Sequence, residues 1–365
     1  MSYIPRTIYI DDRAKKYPLT RRICKKFPYV ATHIIHDTKS FIKEYNKRSH
    51  AITKGKKDLL LTINKGRFIK KCPGTKHYIC CGYQILHQAS GCNLDCSYCI
   101  LQAYFNNPLL TVFVNLDNMM QELDKKIDRN KKRFWRIGTG EFTDSLALDE
   151  ITSLSTLLIP YFIKKKNAIL ELKTKTVNIN NLLRFKPKGN IITSWSLNAK
   201  RIVKQEERQV SSIQSRIKAA RTCQDRGYRI GFHFDPIFYY AGWENDYKAT
   251  IDAIFKTVDG AQIAWISLGC FRFIPALKAI IECRFPKSVF IHSEFIKGLD
   301  GKMRYIKPLR IHMYKTMIEH IQSYNSNVFI YLCMESQEVW KRSFGYGPRR
   351  FGSLTRGLDM RVCKP

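Results

Sequence analysis

Negative charge is what this chain has least of. Thirty Asp and Glu stand against 63 Lys and Arg, giving a formal net charge of +33 and a pI near 9.8. Such an excess sets up a long-range field that attracts polyanions, of which nucleic acid is the commonest in cytosol. A Lys-, Asn- and Ile-rich composition is also what an AT-rich genome produces. Runs such as Lys131-Lys132-Arg133 and Lys164-Lys165-Lys166 suit a merely solvated surface. The charge therefore supports a nucleic-acid partner without establishing one. Long apolar runs are missing too: none approaches the ~20 residues of a membrane span. The start, Met1 to Arg6, lacks the apolar core of a signal peptide. A cytoplasmic protein with no membrane partner is expected. No short repeat, low-complexity tract or flexible linker is visible, which excludes a repeat array.

Core-forming residues and thiols are plentiful. At 365 residues and 44% hydrophobic, the chain is long enough for a large barrel or two domains. Its 12 cysteines, without a secretion signal, point to metal binding and reduced thiols and not to a disulfide framework.

Three of those cysteines define the most informative stretch, Ser90-Gly91-Cys92-Asn93-Leu94-Asp95-Cys96-Ser97-Tyr98-Cys99-Ile100-Leu101-Gln102. The spacing lets one short loop present thiolates to three corners of a cubane cluster. Because a [4Fe–4S] cluster takes four ligands, the fourth iron is left for something else. A structural zinc site completed by a distant residue is the alternative, with Cys72, Cys80 and Cys81 available. Zinc sites usually pair Cys-x-x-Cys units, however, and only Cys96 and Cys99 have that spacing. The cluster is the favoured reading. With an aromatic residue, Tyr98, just before the third cysteine, the loop resembles the cluster loop of radical S-adenosylmethionine (radical SAM) enzymes.

The rest of the chain alternates strands and helices. Thr7 to Ile10 and Leu59 to Ile63 are expected strands, Leu19 to Lys26 a basic helix, and Cys72 to Thr75 a turn. A strand over roughly Tyr78 to His87 leads into the cluster loop. Strands are then expected at Val112–Val114, Phe134–Ile137, Ala168–Lys173, Asn190–Trp195, Arg229–Phe234, Ala264–Leu268 and Val328–Cys333. Helices are expected at Asp117–Asn130 with Asp117 as cap, from about Leu146, and at Ile213–Arg226 and Tyr247–Thr257. This alternation argues for a parallel sheet with crossover helices. Polar residues collect where the strands end: Gly138-Thr139-Gly140-Glu141, Lys173 and Lys175, Ser196 and Asn198, then His233 and Asp235. Parallel barrels gather their chemistry at such carboxyl ends.

Several segments together resemble the spore photoproduct lyase family of radical SAM enzymes. They are Cys72 to Tyr78, Cys80 to Tyr83, the cluster loop through Phe105, Gly138 to Leu146, Leu172 to Lys175, and Gly231 to Pro236. The resemblance runs to about Glu335. It implies an α/β fold: a partial (β/α)₆ radical SAM barrel over 76–335, its cluster loop at 90–102. A small N-terminal α/β lobe over 1–75 and a basic, aromatic C-terminal tail over 336–365 would flank it. It also implies a [4Fe–4S] cluster on Cys92, Cys96 and Cys99, with S-adenosylmethionine on the open iron. Contacts to that molecule would come from Tyr98, Gly138, Thr139, Gly140, Glu141, Lys173, Lys175, Ser196 and Asn198. Glu141 would take the methionyl ammonium, Lys175 the carboxylate, Ser196 and Asn198 the ribose or carboxylate, and Tyr98 would lie near the adenine.

The implied reaction is reversal of a methylene-bridged thymine dimer in DNA, initiated by a 5′-deoxyadenosyl radical. It would need a small-protein or flavin electron donor. Lys341, Arg342, Arg349, Arg350 and Arg356, interleaved with Phe344, Tyr346 and Phe351, would either grip phosphates or form a solvated basic loop. The sequence departs from the family at two places. A hydrogen-donating cysteine is expected at or next to Glu141, and a tyrosine is expected where Ile100 stands. Cys270 and Cys333, near strand ends, are the candidate replacement donors, with a buried structural thiol as the simpler role for each. His233 and Asp235, sharing a strand end, are the substrate-side candidates. The departure keeps two further readings open: a related enzyme acting on another nucleic-acid substrate, and a nucleic-acid-binding protein with a structural or redox-sensing cluster.

Overall fold

Two sheets organise the chain, and the computed structural model describes residues 3–74 and 77–363. The larger sheet runs in the order Ile330–Leu332, Ile263–Cys270, Arg229–Ile237, Ile191–Ser196, Ala168–Thr174, Trp135–Gly138, Gln84–Leu86, Ile69–Lys71. All neighbours are parallel except the last pair, which is antiparallel. The sheet curls into a half-barrel. Six of its parallel strands, Gln84–Leu86 through Ile263–Cys270, form the expected partial barrel, and Ile330–Leu332 extends its edge.

Alternation along each strand explains why the barrel can be polar inside and dry outside. In Ala168–Thr174, Leu170 and Leu172 join the main apolar core, while Glu171 and Lys173 line the interior cavity. The crossover helices include Leu154–Ile163, Ile213–Asp225, Trp243–Thr257 and Lys307–Tyr324, whose buried residues Leu158, Ile217, Ile251 and Met317 belong to that same core.

The second sheet has the order Ala31–Ile35, Thr7–Asp11, Asp58–Thr62, Leu110–Phe113, Ala89–Ser90. Ile8, Ile10, Leu59, Leu61 and Val112 pack there with Leu19 and Ile23 of the helix Pro18–Lys26. The sequence boundary at residue 75 is crossed in both directions. Ile69–Lys71 pairs into the barrel sheet, while Leu110–Phe113 and Ala89–Ser90 pair into the N-terminal one.

Three local expectations change, and a fourth reaches beyond the described residues. The strand before the cluster loop is only Gln84–Leu86, since Ile79 to Tyr83 form no regular ladder; Cys81 and Tyr83 of that segment line the barrel cavity. The helix Leu116–Asp128 starts at Asn115, which leaves Asp117 inside the first turn, where a carboxylate still complements the helix dipole. The helix expected from Leu146 begins at Asp149 and is split by Ser153 in the left-handed conformation. The turn expected over Cys72 to Thr75 ends on Thr75, outside the described residues.

The C-terminal segment is helical, not a solvated loop. Gln337–Phe344 and Leu354–Val362 are helices, and Trp340, Leu354, Leu358 and Val362 enter the main core. Phe344, Tyr346 and Phe351 stack on one another and on Trp340 and Phe329, so these rings are occupied in packing. Lys341, Arg342, Arg349, Arg350 and Arg356 stay exposed.

Candidate active site

The cluster loop closes one side of a cavity of ≈ 320 Å³ at the carboxyl ends of the barrel strands. Cys92, Cys96 and Cys99 all line it. The loop is held from behind by cations and amides. Lys56 Nζ donates to the carbonyls of Cys92 (2.9 Å) and Leu94 (2.6 Å). Gln102 Nε2 donates to those of Cys96 (3.2 Å) and Ser97 (2.8 Å). Backbone pairing of Cys96 with Glu207 and of Asp95 with Arg208 completes the frame. Each tie fixes a backbone position and leaves the thiols free to face the cavity.

Burial pushes the Cys92 thiol up to about 12, and Cys96 is raised further by the same cause. Such thiols ionise only where a bound cation offsets the lost hydration, so the donor set is suited to metal and not to free thiolate chemistry. Among the described residues, no group of three or more His, Cys, Asp or Glu converges on a single-ion site. The three cysteines share one cavity. A cavity of this size lies within the usual range for small-molecule sites. Three thiols on one such cavity suit a metal–sulfur group with a small molecule beside it.

The glycines of Gly138-Thr139-Gly140 answer to crowding. A Cβ on Gly138 would lie 1.4 Å from Tyr83 Oη, and one on Gly140 would lie 2.8 Å from Lys173 Cβ. Asp144 pins the loop that follows by accepting from Leu146 N, Ala147 N, Lys175 N and Thr174 Oγ1. Asp149 accepts from Ser155 and Asn181, so the two aspartates that mark this segment are structural.

Two ionic systems fill the barrel mouth. In the first, Lys173 forms an ion pair with Glu141 at the cavity wall, and Glu171 lies one layer deeper. Glu171 accepts from His233 Nε2 (2.8 Å), Ser194 Oγ (2.5 Å) and Trp265 Nε1 (3.2 Å). Burial alone would raise this carboxyl, but His233, Lys173 and Ser194 hold it down at about 2. In the second, Glu207 is fully buried between Lys175 Nζ (2.8 Å) and Arg216 Nη2 (2.6 Å) and also accepts from Tyr98 Oη. Its burial is likewise outweighed, by Lys175, Arg216 and Tyr98, and it too stays near 2. Lys175 also donates to Tyr98 Oη at 2.8 Å.

The structure brings most of the sequence candidates together. Tyr98, Gly140, Glu141, Lys173, Lys175, Ser196, His233, Asp235 and Cys333 line the cavity with the loop cysteines. Gly138, Thr139, Asn198 and Cys270 do not. Thr139 donates to Ser145 Oγ at 2.7 Å. Asn198 is fully buried, donating to the Pro236 carbonyl (3.0 Å) and accepting from Tyr247 Oη, so it braces the strand end. Cys270 Sγ lies against Met313 Sδ at 3.8 Å inside the core. The cation proposed for a ligand carboxylate, Lys175, is already committed to Glu207 and Tyr98.

Sequence reasoning passed over Arg272, Glu171, Glu207 and Arg216. Asp235 is bound by both Arg272 Nη atoms at 3.1 Å, and Arg272 Nη2 reaches Cys333 Sγ at 3.6 Å. Cys72 and Cys81 line the same wall. Glu171 carried a signal, being a lone acid inside the apolar strand Ala-Ile-Leu-Glu-Leu. Glu207 and Arg216 carried none, because Lys204-Gln205-Glu206-Glu207-Arg208 has the composition of a solvated helix end.

The family model for spore photoproduct lyase matches residues 3–330. The chain belongs to the spore photoproduct lyase family. Spore photoproduct lyase of Bacillus subtilis (strain 168) is 26% identical over 293 residues, covering 78% of this chain and 84% of that protein. The enzyme of Geobacillus sp. (strain Y412MC61) is 24% identical over 299 residues, with the same coverage of 78% and 84%. Among solved structures, spore photoproduct lyase complexed with dinucleoside spore photoproduct superimposes with a TM-score of 0.80 at 21% identity. It covers 91% of this chain and 100% of that one. A mutant lyase with bound AdoMet and dinucleoside spore photoproduct gives 0.80 at 22% identity, with the same coverage of 91% and 100%. The two structures share the half-barrel fold of this chain.

Proposed function

We propose that this protein is a radical SAM enzyme that reverses the spore photoproduct, a methylene-bridged thymine dimer, in DNA. One observation carries the reading: a single cavity is lined by the three loop cysteines, by the Glu141–Lys173 pair and by the Arg272–Asp235 pair. Membership of the family supports it. The AdoMet and dinucleoside photoproduct bound by structural neighbours support the choice of cofactor and substrate.

Cys92, Cys96 and Cys99 would hold a [4Fe–4S] cluster, and with S-adenosylmethionine bound in the same cavity that group would supply, on reduction, a carbon radical able to abstract hydrogen. The chain's own groups orient and enclose. Glu141 and Lys173 present a carboxylate beside an ammonium, complementary to the ammonium and carboxylate of an amino acid. Lys175, Glu207 and Arg216 hold Tyr98 and hence the loop in place. Arg272, oriented by Asp235, turns a guanidinium toward the cavity, where pyrimidine carbonyls or a phosphate can accept from it.

Of the two replacement hydrogen donors, Cys333 lines the cavity and Cys270 does not. Burial, then the Asp235 carboxylate, keeps the Cys333 thiol protonated. Cys333 is thus the proposed source of the hydrogen atom for the product radical: its S–H bond breaks as a thymine C–H bond forms, leaving a Cys333 thiyl radical that one electron from the electron donor and a proton return to the thiol. A lesion in duplex DNA must be flipped to reach this depth, at a cost of roughly a few kcal/mol that damage reduces. The excess of Lys and Arg makes DNA binding steeply salt-dependent. A second reading has one observation behind it: Glu141, paired with Lys173, stands where the family's donor cysteine is expected. That reading is the same radical chemistry on another nucleic-acid substrate.

Anaerobically reconstituted, reduced protein with S-adenosylmethionine and photoproduct DNA tests the proposal. Appearance of 5′-deoxyadenosine and restored thymine together is the expected result. Deoxyadenosine without thymine would transfer the function to the second reading. Neither product from a fully loaded protein would overturn both.

A further inference from the structure

Behind the cluster loop lies a second cavity of ≈ 410 Å³, and Cys92 and Cys99 line this one as well. The loop is therefore a thin partition. Its inner face is the wall of the candidate active site, and its outer face is the floor of a cavity that opens on the other side. The outer cavity is walled by Ile52, Phe105, Pro108 and Ile280, with polar contributions from Lys56 and Asn46. Nothing in the mechanism above uses it.

Two features of its surroundings point to a partner. First, the loop is anchored by Lys56, which lines the outer cavity, and by Arg284, which ends the helix Ala276–Arg284 that supplies the wall residues Ala276 and Ile280. Lys56 binds the Cys92 and Leu94 carbonyls, and Arg284 donates to Asp95 (3.0 Å), Gln102 and Thr53 (3.1 Å). Anything seated on these walls thus bears on the backbone that carries the thiols. Second, the two segments forming the rim are strongly basic. Residues 43–57 hold Lys43, Lys47, Arg48, Lys54, Lys56 and Lys57 against Glu44 alone, and residues 276–287 hold Lys278, Arg284 and Lys287 against Glu282. Asp95, the other acid nearby, is already shared by Arg284 and Lys56. Within those two segments Thr53, Lys57, Lys278 and Lys287 are exposed.

Resting on the cluster reading above, we infer that this basic-rimmed cavity is the docking face for an acidic one-electron donor protein that reduces the cluster through its Cys92–Cys99 side. Electron transfer requires close approach of two redox centres and no shared pocket with substrate. A donor on the outer face meets both needs while the inner cavity stays closed around its contents. Charge complementarity supplies the encounter. Steered association of this kind is fast at low salt and falls steeply as salt rises.

The test uses the reconstituted full-length protein. Bleaching of the cluster absorbance is followed by stopped flow with an acidic FMN-carrying one-electron donor protein as reductant, and separately with dithionite. A triple variant, Lys54→Glu, Lys57→Glu and Lys278→Glu, reverses rim charge without touching the anchors Lys56 and Arg284. A control variant, Lys131→Glu, Lys132→Glu and Lys164→Glu, changes net charge equally at exposed positions before the amino ends of two barrel strands. The expected result is a loss of about tenfold or more in the second-order rate with the flavoprotein for the rim variant only. Dithionite reduction stays unchanged, and the wild-type flavoprotein rate falls on raising salt from about 50 to 200 mM.

Equal losses in rim and control variants would reduce the effect to net charge and overturn the inference. An unchanged flavoprotein rate, or a matching loss with dithionite, would do the same. If the rim variant lost affinity for a DNA duplex while its flavoprotein rate held, the face would belong to nucleic acid instead. A protein that binds no iron or does not bleach with dithionite would remove the cluster reading itself, an outcome distinct from the others.

Discussion

The two sheets of this molecule are built from similar parts and do different things. Both are mainly parallel and carry helices. In the N-terminal sheet the buried carboxylates serve the fold. Asp11 accepts from Arg13, Thr38 and Thr62, and Asp58 accepts from Arg6 and Tyr45. Every one of these partners is local to that sheet. In the barrel the buried carboxylates Glu171 and Glu207 tie different strands, the cluster loop and the cavity wall into shared networks. Buried charge is costly in either place unless paired. The barrel uses it to orient groups toward a cavity, and the N-terminal sheet uses it to fasten the ends of its inner strands to neighbouring segments.

That contrast can be broken at several points. The largest effect is expected from Cys96→Ala, which should abolish iron loading and all 5′-deoxyadenosine while leaving the fold intact by circular dichroism. Next comes Arg216→Met. It strips one of the two cations from the fully buried Glu207, and breaking a buried pair costs about 3–5 kcal/mol. Denaturant unfolding should show that loss, and Tyr98 fluorescence or cofactor affinity should change with it. Leu61→Ala in the N-terminal sheet should cost about 2–5 kcal/mol by cavity formation yet leave iron content unchanged. Loss of iron there would erase the distinction between the sheets.

Smaller in free energy is Cys333→Ala. It should keep deoxyadenosine formation and replace thymine by incompletely quenched products, seen by mass spectrometry, whereas Cys270→Ala should leave the product spectrum unchanged. The smallest is a pH effect at the stem of the cluster loop. Lys70 donates to His87 Nδ1, and His87 Nε2 faces Ser90 Oγ at 2.7 Å. Burial, aided by Lys70, lowers the His87 pKa from 6.5 to about 4. The unfolded chain then binds more protons than the native one between those values, so stability rises with pH across this window. Acidifying from about 6.5 to 4 should therefore cost stability, and His87→Gln should flatten that slope. Glu171 and Glu207, both held near 2, add a separate loss that begins below their ordinary value of 4.5.

Much of this was legible in the sequence because it is written in local spacing. Cys92, Cys96 and Cys99 fit one short loop, and the strand-end residues Glu141, Lys173, Lys175, Ser196 and His233 fall in phase with a parallel sheet. Asn198 and Cys270 are also at strand ends, but one more residue or a change of side turns a chain position from cavity wall to core brace. Phase alone does not fix that. The partners that give the site its electrostatics were the least visible. Arg216, Arg272 and Arg284 come from a helix, a strand edge and a helix end far along the chain. Nothing in their flanking residues distinguishes them from the many cations on the surface. The C-terminal aromatics were misjudged for a related reason: Phe344, Tyr346 and Phe351 have the spacing of a binding strip, and only tertiary packing shows them stacked on Trp340 and Phe329.

The most direct test of the central claim is electron paramagnetic resonance of the reduced, reconstituted protein before and after adding S-adenosylmethionine. A loop offering three thiols predicts a [4Fe–4S] signal that changes when the cofactor occupies the open iron. A cluster signal indifferent to the cofactor, or a protein that retains zinc and no iron, would contradict it.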